Sequence, residues 1–514
     1  MLNGKQLTSS YWPGFILFLV ALAIGLSIYQ DYGVSWDEPI QRGMGRVSYN
    51  YVFNNDPSLL QFNERSHGVA FELPLIILEK RMHITDQRDI YLMRHLVTHL
   101  FFLVSVFFGY ILCLRLFKDQ FLACLGFVLL AFNPRIYAHS FFNTKDIPFL
   151  SAVIILFAIT QIAFEKNKRG WYILMAVACA YATSIRVMGI LFAACISLFF
   201  IADIINAIRR KEKTGKATGN FLLFITVFCG ILYATWPILW TRPVFHFKEE
   251  FQALSHIYWS GFVLLNGVNY PGDTLPWFYV PEWFSITMPV LWLFAGLTGF
   301  TWLLVSFFKK PGTYFENTPQ RNFIMYAICF SVPVIAVIAL HSILYDDWRH
   351  VYFIYPSFVM LILFALQKIA TGYKRKIVIV LCILQIGVTS VFMVRNHPFE
   401  HIYFNQLVSH KKEFLRTHFD LDYWGCSDMQ SLEYILAHDN ADSIKVWRSL
   451  DPVGNNLGMI PATSRKRIIL VDSSDHPAYF ITNFRNHPGD YPYTNICFEM
   501  KVLNSTILRV YKLP

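Results

Sequence analysis

The sequence is poor in charge: only 15% of its 514 residues are Asp, Glu, Lys or Arg, whereas soluble proteins average about 25%. It also lacks a glycine-rich phosphate-binding loop, an internal repeat and any low-complexity tract. The missing phosphate loop disfavours an ATP-driven pump. Because 55% of the residues are hydrophobic and 17% aromatic, the composition predicts a membrane protein.

The net charge of +10 invites a nucleic-acid-binding interpretation. However, the basic residues lie in short connections between apolar runs rather than in one patch, which the positive-inside rule explains better. No small-residue cleavage site follows the first apolar run, so we expect this run to be an anchor and not a cleaved signal. No nucleic-acid partner is predicted.

Eleven apolar runs predict transmembrane helices, since about 17–25 residues are needed to cross a bilayer; the third and fifth runs are shorter than this. Alternate connections carry the Lys and Arg clusters, which predicts a cytoplasmic N-terminus and an outward C-terminus. The predicted spans are 11–29, 91–116, 120–133, 147–164, 171–185, 187–208, 220–240, 284–308, 322–344, 351–368 and 375–394.

The polar C-terminal region differs from the rest of the chain. Short β-rich runs occur at 443–447, 467–471, 478–482 and 505–511, with a predicted helix over 429–437. We therefore expect a membrane module over residues 1–394 and a small outward α/β domain over 395–514. Cys426 and Cys497 lie in this region, and a disulfide and two free thiols are equally compatible with it.

The first outward connection, 30–90, contains the adjacent acids Asp37 and Glu38. It also contains an apolar segment, 69–78, that is too short to span and suits the membrane interface. Two adjacent carboxylates at a membrane surface repel each other and lose hydration. A solvated loop explains the pair equally simply, unless cations from other connections accompany it.

Such cations are present in the other outward connections. Arginine and lysine can hold the phosphate of a lipid-linked substrate through charge-assisted hydrogen bonds, and a carboxylate can take a proton from an attacking hydroxyl or amine. The outward ionisable residues are Asp37, Glu38, His67, Glu72, Arg94, His95, Arg135, His139, Lys145, Asp146, Arg186, Asp346, Asp347, Arg349 and His350.

Simpler interpretations exist for several of these residues. Arg94 and Arg186 can be anchors that extend to the interface, and Lys145 with Asp146 can cap the following span. His95 and His99 have helical spacing, but no Glu lies between them as in a zinc motif. We therefore expect no metal site.

Three short motifs together resemble the GT-C superfamily of membrane glycosyltransferases, particularly its protein O-mannosyltransferase and aminoarabinose transferase branch (family 39-like). The first is the acidic motif 35–38, Ser-Trp-Asp-Glu, and the second is the segment 133–146 that precedes the fourth span. The third is Arg-His at 349–350, followed by Tyr-Pro at 355–356. In the tail, 396–405 and 422–425 look like a signature of bacterial members.

The resemblance implies an inverting transfer of sugar from a polyprenyl-phosphate donor, without an essential metal or cofactor. Asp37 would be the base, Glu38 would assist it, and Asp146 would orient the acceptor or the base. The candidates for binding the donor phosphate are Arg135, Lys145, Arg186 and Arg349. Further candidates are His67, Glu72, Arg94, His139, Asn143 and His350.

The aromatic residues of the fourth outward connection, 241–282 with the start of the next span, allow two interpretations. They can stack on a sugar, or they can form an ordinary interfacial belt. They are Trp259, Tyr270, Trp277, Tyr279 and Trp283.

The expected protein is thus a glycosyltransferase of the bacterial inner membrane, with a glycan, lipid or protein acceptor. A carrier or flippase for a lipid-linked sugar, or a non-catalytic glycolipid-binding relative, are the alternatives. A transporter predicts charges inside the spans and often two related halves. Here the charges lie at loop ends, which favours the enzyme.

Overall fold

The computed structural model describes residues 4–65, 67–256, 259–316 and 318–514. All eleven predicted spans coincide with helices. Before residue 397 the α-helices are α1 Gly4–Ile28, α2 Glu38–Asn54, α3 Glu72–Arg81, α4 Gln87–Phe117, α5 Gln120–Ala131, α6 Pro134–Phe142, α7 Asp146–Lys166, α8 Arg169–Ile185, α9 Ile190–Arg209, α10 Gly215–Thr235, α11 Pro243–His256, α12 Tyr279–Thr287, α13 Val290–Lys309, α14 Pro311–Glu316, α15 Thr318–Ala339, α16 Tyr355–Ile369 and α17 Lys374–Asn396.

The helices of the described ranges include nine that are long and apolar enough to cross a membrane. The bent pair of α5 and α6, at 56°, raises the number to ten if it is one span. The eleventh predicted span is α8, whose 17 residues extend about 26 Å at 1.5 Å per residue, slightly less than a bilayer core. The chain is a polytopic α-helical membrane protein, as predicted.

The bend between α5 and α6 follows from the dipeptide Asn133-Pro134. A residue before proline avoids the helical conformation, and Asn133 is extended, with φ −69° and ψ 122°. Its side chain accepts a hydrogen bond from the backbone N–H of Ile136 at 3.3 Å, so it caps α6 while Pro134 occupies the first turn. The chain therefore turns back toward the centre instead of continuing outward.

The spans α7 and α16 form the centre of the bundle. Within the protein, 94% of the apolar window of α7 and 89% of that of α16 is buried, compared with 17% for α1 and for α17. Asp146 is the first residue of α7, and Arg349 lies in the short 3-10 helix Arg349–Ile354 that leads into α16, so both side chains lie at the entrance to this buried centre.

The two ends of α4 identify the two faces of the bundle. Near its C-terminal end, Arg115 pairs with Glu165 at 2.9 Å, so connections predicted to be cytoplasmic lie together. At its N-terminal end, Asp86 pairs with Arg465 of the C-terminal region at 2.9 Å. The C-terminal region therefore covers the face that carries the predicted outward connections.

The predicted fourth connection contains an antiparallel hairpin, β1 Phe262–Leu265 and β2 Val268–Pro271. Its turn is Asn266-Gly267, with φ angles of 53° and 77°, the left-handed conformation that a two-residue hairpin requires. The backbone N–H of Leu264 donates to Asp420 at 2.9 Å, which joins the hairpin to the C-terminal region. Residues 257 and 258 of this connection lie outside the described residues.

The residues after α17, called the C-terminal domain below, form a five-stranded sheet in the order β4-β3-β5-β7-β6. The four predicted strands and the predicted helix are confirmed; β6 is an additional strand. Cys426 and Cys497 carry free thiols. The elements are α18 Phe414–His418, α19 Asp428–His438, β3 Ile444–Arg448, α20 Pro452–Leu457, α21 Ala462–Arg465, β4 Ile468–Val471, β5 Tyr479–Thr482, β6 Ile496–Val502 and β7 Ser505–Lys512.

Candidate active site

Four connections of the membrane part converge beneath the C-terminal domain. They are the link from α1 to α2, the link from α6 to α7, the end of α8, and the segment before α16. Each connection contributes charged side chains to one cluster. The predicted site residues that meet there are Asp37, Lys145, Asp146, Arg186 and Arg349.

Arg349 is at the centre of this cluster, because it contacts three carboxylates from different segments. Its Nη1 lies 3.2 Å from Oδ2 of Asp37 and 3.5 Å from Oδ2 of Asp146. Its Nη2 lies 3.4 Å from Oδ2 of Asp346. A buried cation shared among three acids offsets their mutual repulsion and holds their segments together.

Aromatic rings enclose the Arg349 guanidinium on both sides. The ring of Tyr345 lies 4.8 Å from its central carbon, and the ring of Trp424 in the C-terminal domain lies 4.6 Å away. Trp259 of the fourth connection stacks on Tyr345 with ring centres 4.5 Å apart. These cation–π contacts fix the guanidinium plane while its edge stays directed at the acids.

Asp146 is held rigidly by its neighbours. Asn143 donates from Nδ2 to Oδ2 of Asp146 at 2.9 Å and accepts the backbone N–H of Asp146 at 2.8 Å. The other carboxylate oxygen pairs with Arg186, whose Nη1 also donates to the carbonyl of His350. Asn143 therefore fixes the orientation of the Asp146 carboxylate through two hydrogen bonds.

Asp37 is the accessible carboxylate of the cluster. Its side chain is 27% exposed, compared with 2% for Asp146 and 6% for Asp346. It occupies the N-cap position of α2 without capping that helix through its side chain. Among the described residues, the only partner of its side chain is Arg349, at Oδ2. Oδ1 can therefore accept a proton from a bound molecule.

Glu38 points away from the cluster and shapes the loop. It is buried and accepts hydrogen bonds from the backbone N–H and the hydroxyl of Ser35, at 2.8 and 3.2 Å. Its other oxygen lies 3.1 Å from Nε2 of His95. This arrangement fixes the turn 35–38, and so the position of Asp37.

Lys145 adds a further cation to the cluster. Burial and the neighbouring Arg186 guanidinium lower the pKa of its ammonium, and Glu250 and Asp146 oppose this change. In the part of the chain that the structure describes, the ammonium forms no hydrogen bond or ion pair. An anion entering beside Asp37 and Asp146 would therefore find an unoccupied cation.

The predicted phosphate ligand Arg135 lies deeper than the others. Its Nη1 pairs with Asp347 at 2.8 Å, and its Nε donates to the carbonyl of Tyr403 at 3.1 Å. The rings of Trp283 and Phe404 lie 5.3 and 5.0 Å from its guanidinium carbon. These contacts join α6 to the C-terminal domain.

We expect Arg135→Met to reduce stability, since removing one member of a buried ion pair costs about 3–5 kcal/mol. The buried Asp347 would keep only the hydroxyls of Tyr352 and Tyr423, at 2.9 and 2.6 Å. Thermal unfolding of the purified protein should show a lower midpoint, and adding Asp347→Asn should recover most of it. An unchanged midpoint in Arg135→Met would contradict the structural role.

The remaining candidates surround the cluster. Arg94 pairs with Glu72 at 2.6 Å. The pKa of His67 is raised overall. Burial and Lys145 lower it, but the carboxylates of Glu250 and Glu64, at 3.0 and 2.7 Å from the ring nitrogens, have the larger opposite effect.

Two further histidines also have defined surroundings. His139 is buried and accepts a hydrogen bond from Trp424 at 3.2 Å, and the ring of His350 lies against Tyr345. No three His, Cys, Asp or Glu side chains of the described ranges are placed to share a metal ion.

The aromatic residues of the fourth connection divide into two groups. Tyr279 and Trp283 are buried in the protein core, whereas Trp277 is exposed. Trp259 lies beside the cluster through its stacking on Tyr345. Of the predicted aromatic contacts with a sugar, Trp259 is thus the best placed.

Three residues of the cluster were not predicted as site residues. Asp346 was noticed only as one of the outward acids, and Trp424 only as part of the tail signature 422–425. No sequence signal indicated Arg485, which pairs with Asp346 at 2.6 Å.

Comparisons with known proteins give a family-model match over part of the chain and similar solved structures over most of it. Residues 86–233 match the family model for dolichyl-phosphate-mannose-protein mannosyltransferases. A search of curated proteins gave no significant match.

Two solved structures are similar to this chain. The Archaeoglobus fulgidus oligosaccharyltransferase in its apo form has a TM-score of 0.50 at 8% identity, over 92% of this chain and 70% of that one. ArnT from Cupriavidus metallidurans bound to undecaprenyl phosphate has a TM-score of 0.44 at 11% identity, over 96% of this chain and 97% of that one. At 8% identity, the likeness to the oligosaccharyltransferase is one of fold.

Proposed function

We propose that this chain, a member of the GT-C superfamily of membrane glycosyltransferases, moves a sugar from a polyprenyl-phosphate donor to an acceptor hydroxyl or amine. One observation carries the proposal: the accessible carboxylate of Asp37 lies in one arginine cluster with the ammonium of Lys145, which forms no hydrogen bond or ion pair with any described residue. A base beside an anion site is what this chemistry needs.

The donor phosphate is proposed to bind Lys145, Arg186 and Arg349. Asp146 is compensated by Arg186, and Asp346 by Arg485. Glu250, the other acid near Lys145, is paired with His67. Lys145 and Arg349 then share Asp37, which leaves capacity for one more negative charge. A phosphodiester carries one negative charge, and its departure as a phosphate needs neutralisation more than protonation.

The proposed reaction is a direct displacement at the anomeric carbon. The acceptor oxygen or nitrogen forms the new bond to carbon while the bond from carbon to the phosphate oxygen breaks. Polyprenyl phosphate leaves with the bonding electron pair, and Asp37 takes the proton of the acceptor. Asp146 keeps Arg186 and Arg349 in place, and the attack from the opposite face inverts the configuration.

The family match supports the donor class, since that family is named for a dolichyl-phosphate-linked sugar. The distribution of Lys and Arg supports an N-terminus in the cytoplasm of a bacterial cell and a periplasmic C-terminal domain. Residues 1–394 would form the catalytic membrane module. The acceptor would be a glycan, a lipid or a protein.

The test uses wild-type protein in lipid bilayers loaded with a panel of labelled polyprenyl-phosphate sugars. The proposal predicts release of free polyprenyl phosphate together with label in an added acceptor fraction. If label crosses the bilayer and the sugar–phosphate bond stays intact, the protein is a carrier and the proposal is wrong.

We expect Lys145→Gln to raise the KM for the donor about tenfold and to leave kcat within a few-fold. A contact to the phosphate that is equally strong before and during bond breaking affects binding alone, and a charge-assisted hydrogen bond contributes about 1.5–3 kcal/mol. Lys118→Gln is the matched control, because Lys118 caps the end of α4 on the opposite face of the bundle, beside Arg115. Equal KM values for the two variants would remove Lys145 from the donor site.

A further inference from the structure

Arg485 of the C-terminal domain reaches into the cluster of the membrane part. It lies in the connection between β5 and β6, and its Nη2 contacts Oδ1 of Asp346 at 2.6 Å. Its Nη1 donates to the backbone carbonyl of Tyr423 at 2.5 Å. Its guanidinium carbon is 5.8 Å from the ring of Trp36, the residue before Asp37.

Asp346 connects this arginine to the centre of the site. One of its oxygens pairs with Arg485, and the other lies 3.4 Å from Nη2 of Arg349. Arg349 in turn contacts Asp37 and Asp146 through Nη1. A continuous chain of charged contacts therefore runs from the C-terminal domain to the proposed base.

The two segments that meet at this contact both have unusual backbone conformations. Phe484 and Asn486, on either side of Arg485, have φ angles of 63° and 62°, and Asp346 and Asp347 have 58° and 62°. Left-handed conformations of residues other than glycine cost energy and persist only where surrounding contacts impose them. Such positions concentrate at functional sites.

Contacts on the domain side hold the bend in place. The ring of Phe484 lies 4.4 Å from the guanidinium carbon of Arg416 and 5.5 Å from that of Arg509. Asn483 accepts the backbone N–H of Arg485 at 3.2 Å and donates to the carbonyl of Asp422 at 3.1 Å. The loop thus presents Arg485 from a fixed support.

We infer that Arg485 is a positioning residue for the proposed transfer: through Asp346 it holds Arg349 between Asp37 and Asp146. The inference rests on the proposed function and gives the C-terminal domain a role in it. The domain supplies Arg485 to Asp346 and Trp424 against Arg349. It therefore completes the active site instead of only covering it.

The pH dependence provides a readout that a purely structural role would leave unchanged. Burial raises the pKa of Asp346, and Arg485 and Arg349 oppose this increase. The other charged groups that face it, Asp37, Asp347 and Asp420, are all acidic. Without Arg485 the pKa of Asp346 rises further, so Asp346 is protonated at a higher pH and no longer holds Arg349. The acid limb of the pH–rate profile should therefore shift upward.

The experiment compares Arg485→Gln, Arg485→Lys and wild type in bilayers with the labelled donor. Arg465→Gln is the matched control, because Arg465 also joins the domain to the membrane part, at Asp86, but away from the cluster. A small misplacement of a catalytic group can lower the rate about 10²-fold. We expect a loss of that size in kcat for Arg485→Gln, with little change in donor KM.

The remaining variants define the outcome. Arg485→Lys should recover part of kcat, Arg465→Gln should stay within about twofold of wild type, and only Arg485→Gln should shift the acid limb. If Arg485→Gln behaved as wild type or as Arg465→Gln, with equal amounts of folded protein by size exclusion, the inference would be overturned. The proposed function would be unaffected by that result. A wild type that never releases polyprenyl phosphate would overturn the proposed function as well.

Discussion

Asp37→Asn is expected to bind the polyprenyl-phosphate donor with near wild-type affinity and to transfer sugar about 10²–10⁴-fold more slowly, the range of a general base. Asparagine has the same shape, and its amide oxygen can still accept from Arg349 at the 3.2 Å separation seen for Asp37. It cannot take the acceptor proton. Donor binding, measured by titration in bilayers, and single-turnover release of polyprenyl phosphate separate the two effects.

Asp31→Asn is the matched control for Asp37→Asn. Asp31 lies in the same connection, is solvent-exposed and pairs with His397 at 2.9 Å, outside the cluster. Its loss should leave transfer within about twofold of wild type, as expected for an exposed ion pair. If Asp37→Asn transferred sugar as fast as Asp31→Asn, another group would have to be the base.

The membrane architecture could be predicted because each span corresponds to one continuous apolar segment of the sequence. Residues 91–116 and 375–394 are apolar over enough length to cross a bilayer, and they became α4 and α17. The strands at 443–447 and 505–511 were likewise visible as short β-rich runs. The helices α2 and α3 were not predicted, because α2 is polar and α3 is short, and because they pack mainly against each other.

The site could be predicted only in part, because its contacts join distant segments. Asp346 and Arg485 are 139 residues apart, and neither has a local pattern that indicates the other. Asp37 and Asp146 were identifiable because they belong to short motifs in loops beside spans. Trp424 was part of a tail signature, but its contact with Arg349 required the fold of the C-terminal domain.

Arg135 and Arg349 show why residue type alone does not identify a ligand. Both lie in predicted outward connections near a span. Arg135 is matched to one acid, Asp347, among aromatic rings, whereas Arg349 is shared among three carboxylates, one of them accessible. The acids around an arginine determine whether it can still pair with a substrate phosphate. Which acids surround it depends on the tertiary structure.

Arg349→Gln is expected to reduce both transfer and stability. Asp146 and Asp346 would keep Arg186 and Arg485, but Asp37 would lose its partner. Loss of a charge-stabilising donor costs about 10²–10³-fold in kcat, and loss of a buried pairing cation costs about 3–5 kcal/mol of stability. Initial rates and thermal unfolding in the same bilayer preparation measure the two effects.

A second substitution separates these two losses. Adding Asp346→Asn to Arg349→Gln removes one of the three acids that Arg349 balanced, so the unfolding midpoint should recover in part. Transfer should stay low, because the Arg349 guanidinium is still missing from the proposed phosphate site. Arg321→Gln is the control: Arg321 is buried and pairs with Asp203 at 2.5 Å, away from the cluster. It should lose stability and keep the turnover per folded molecule. If the double variant regained transfer along with stability, Arg349 would be a structural cation only, and the phosphate would have to rely on Lys145 and Arg186.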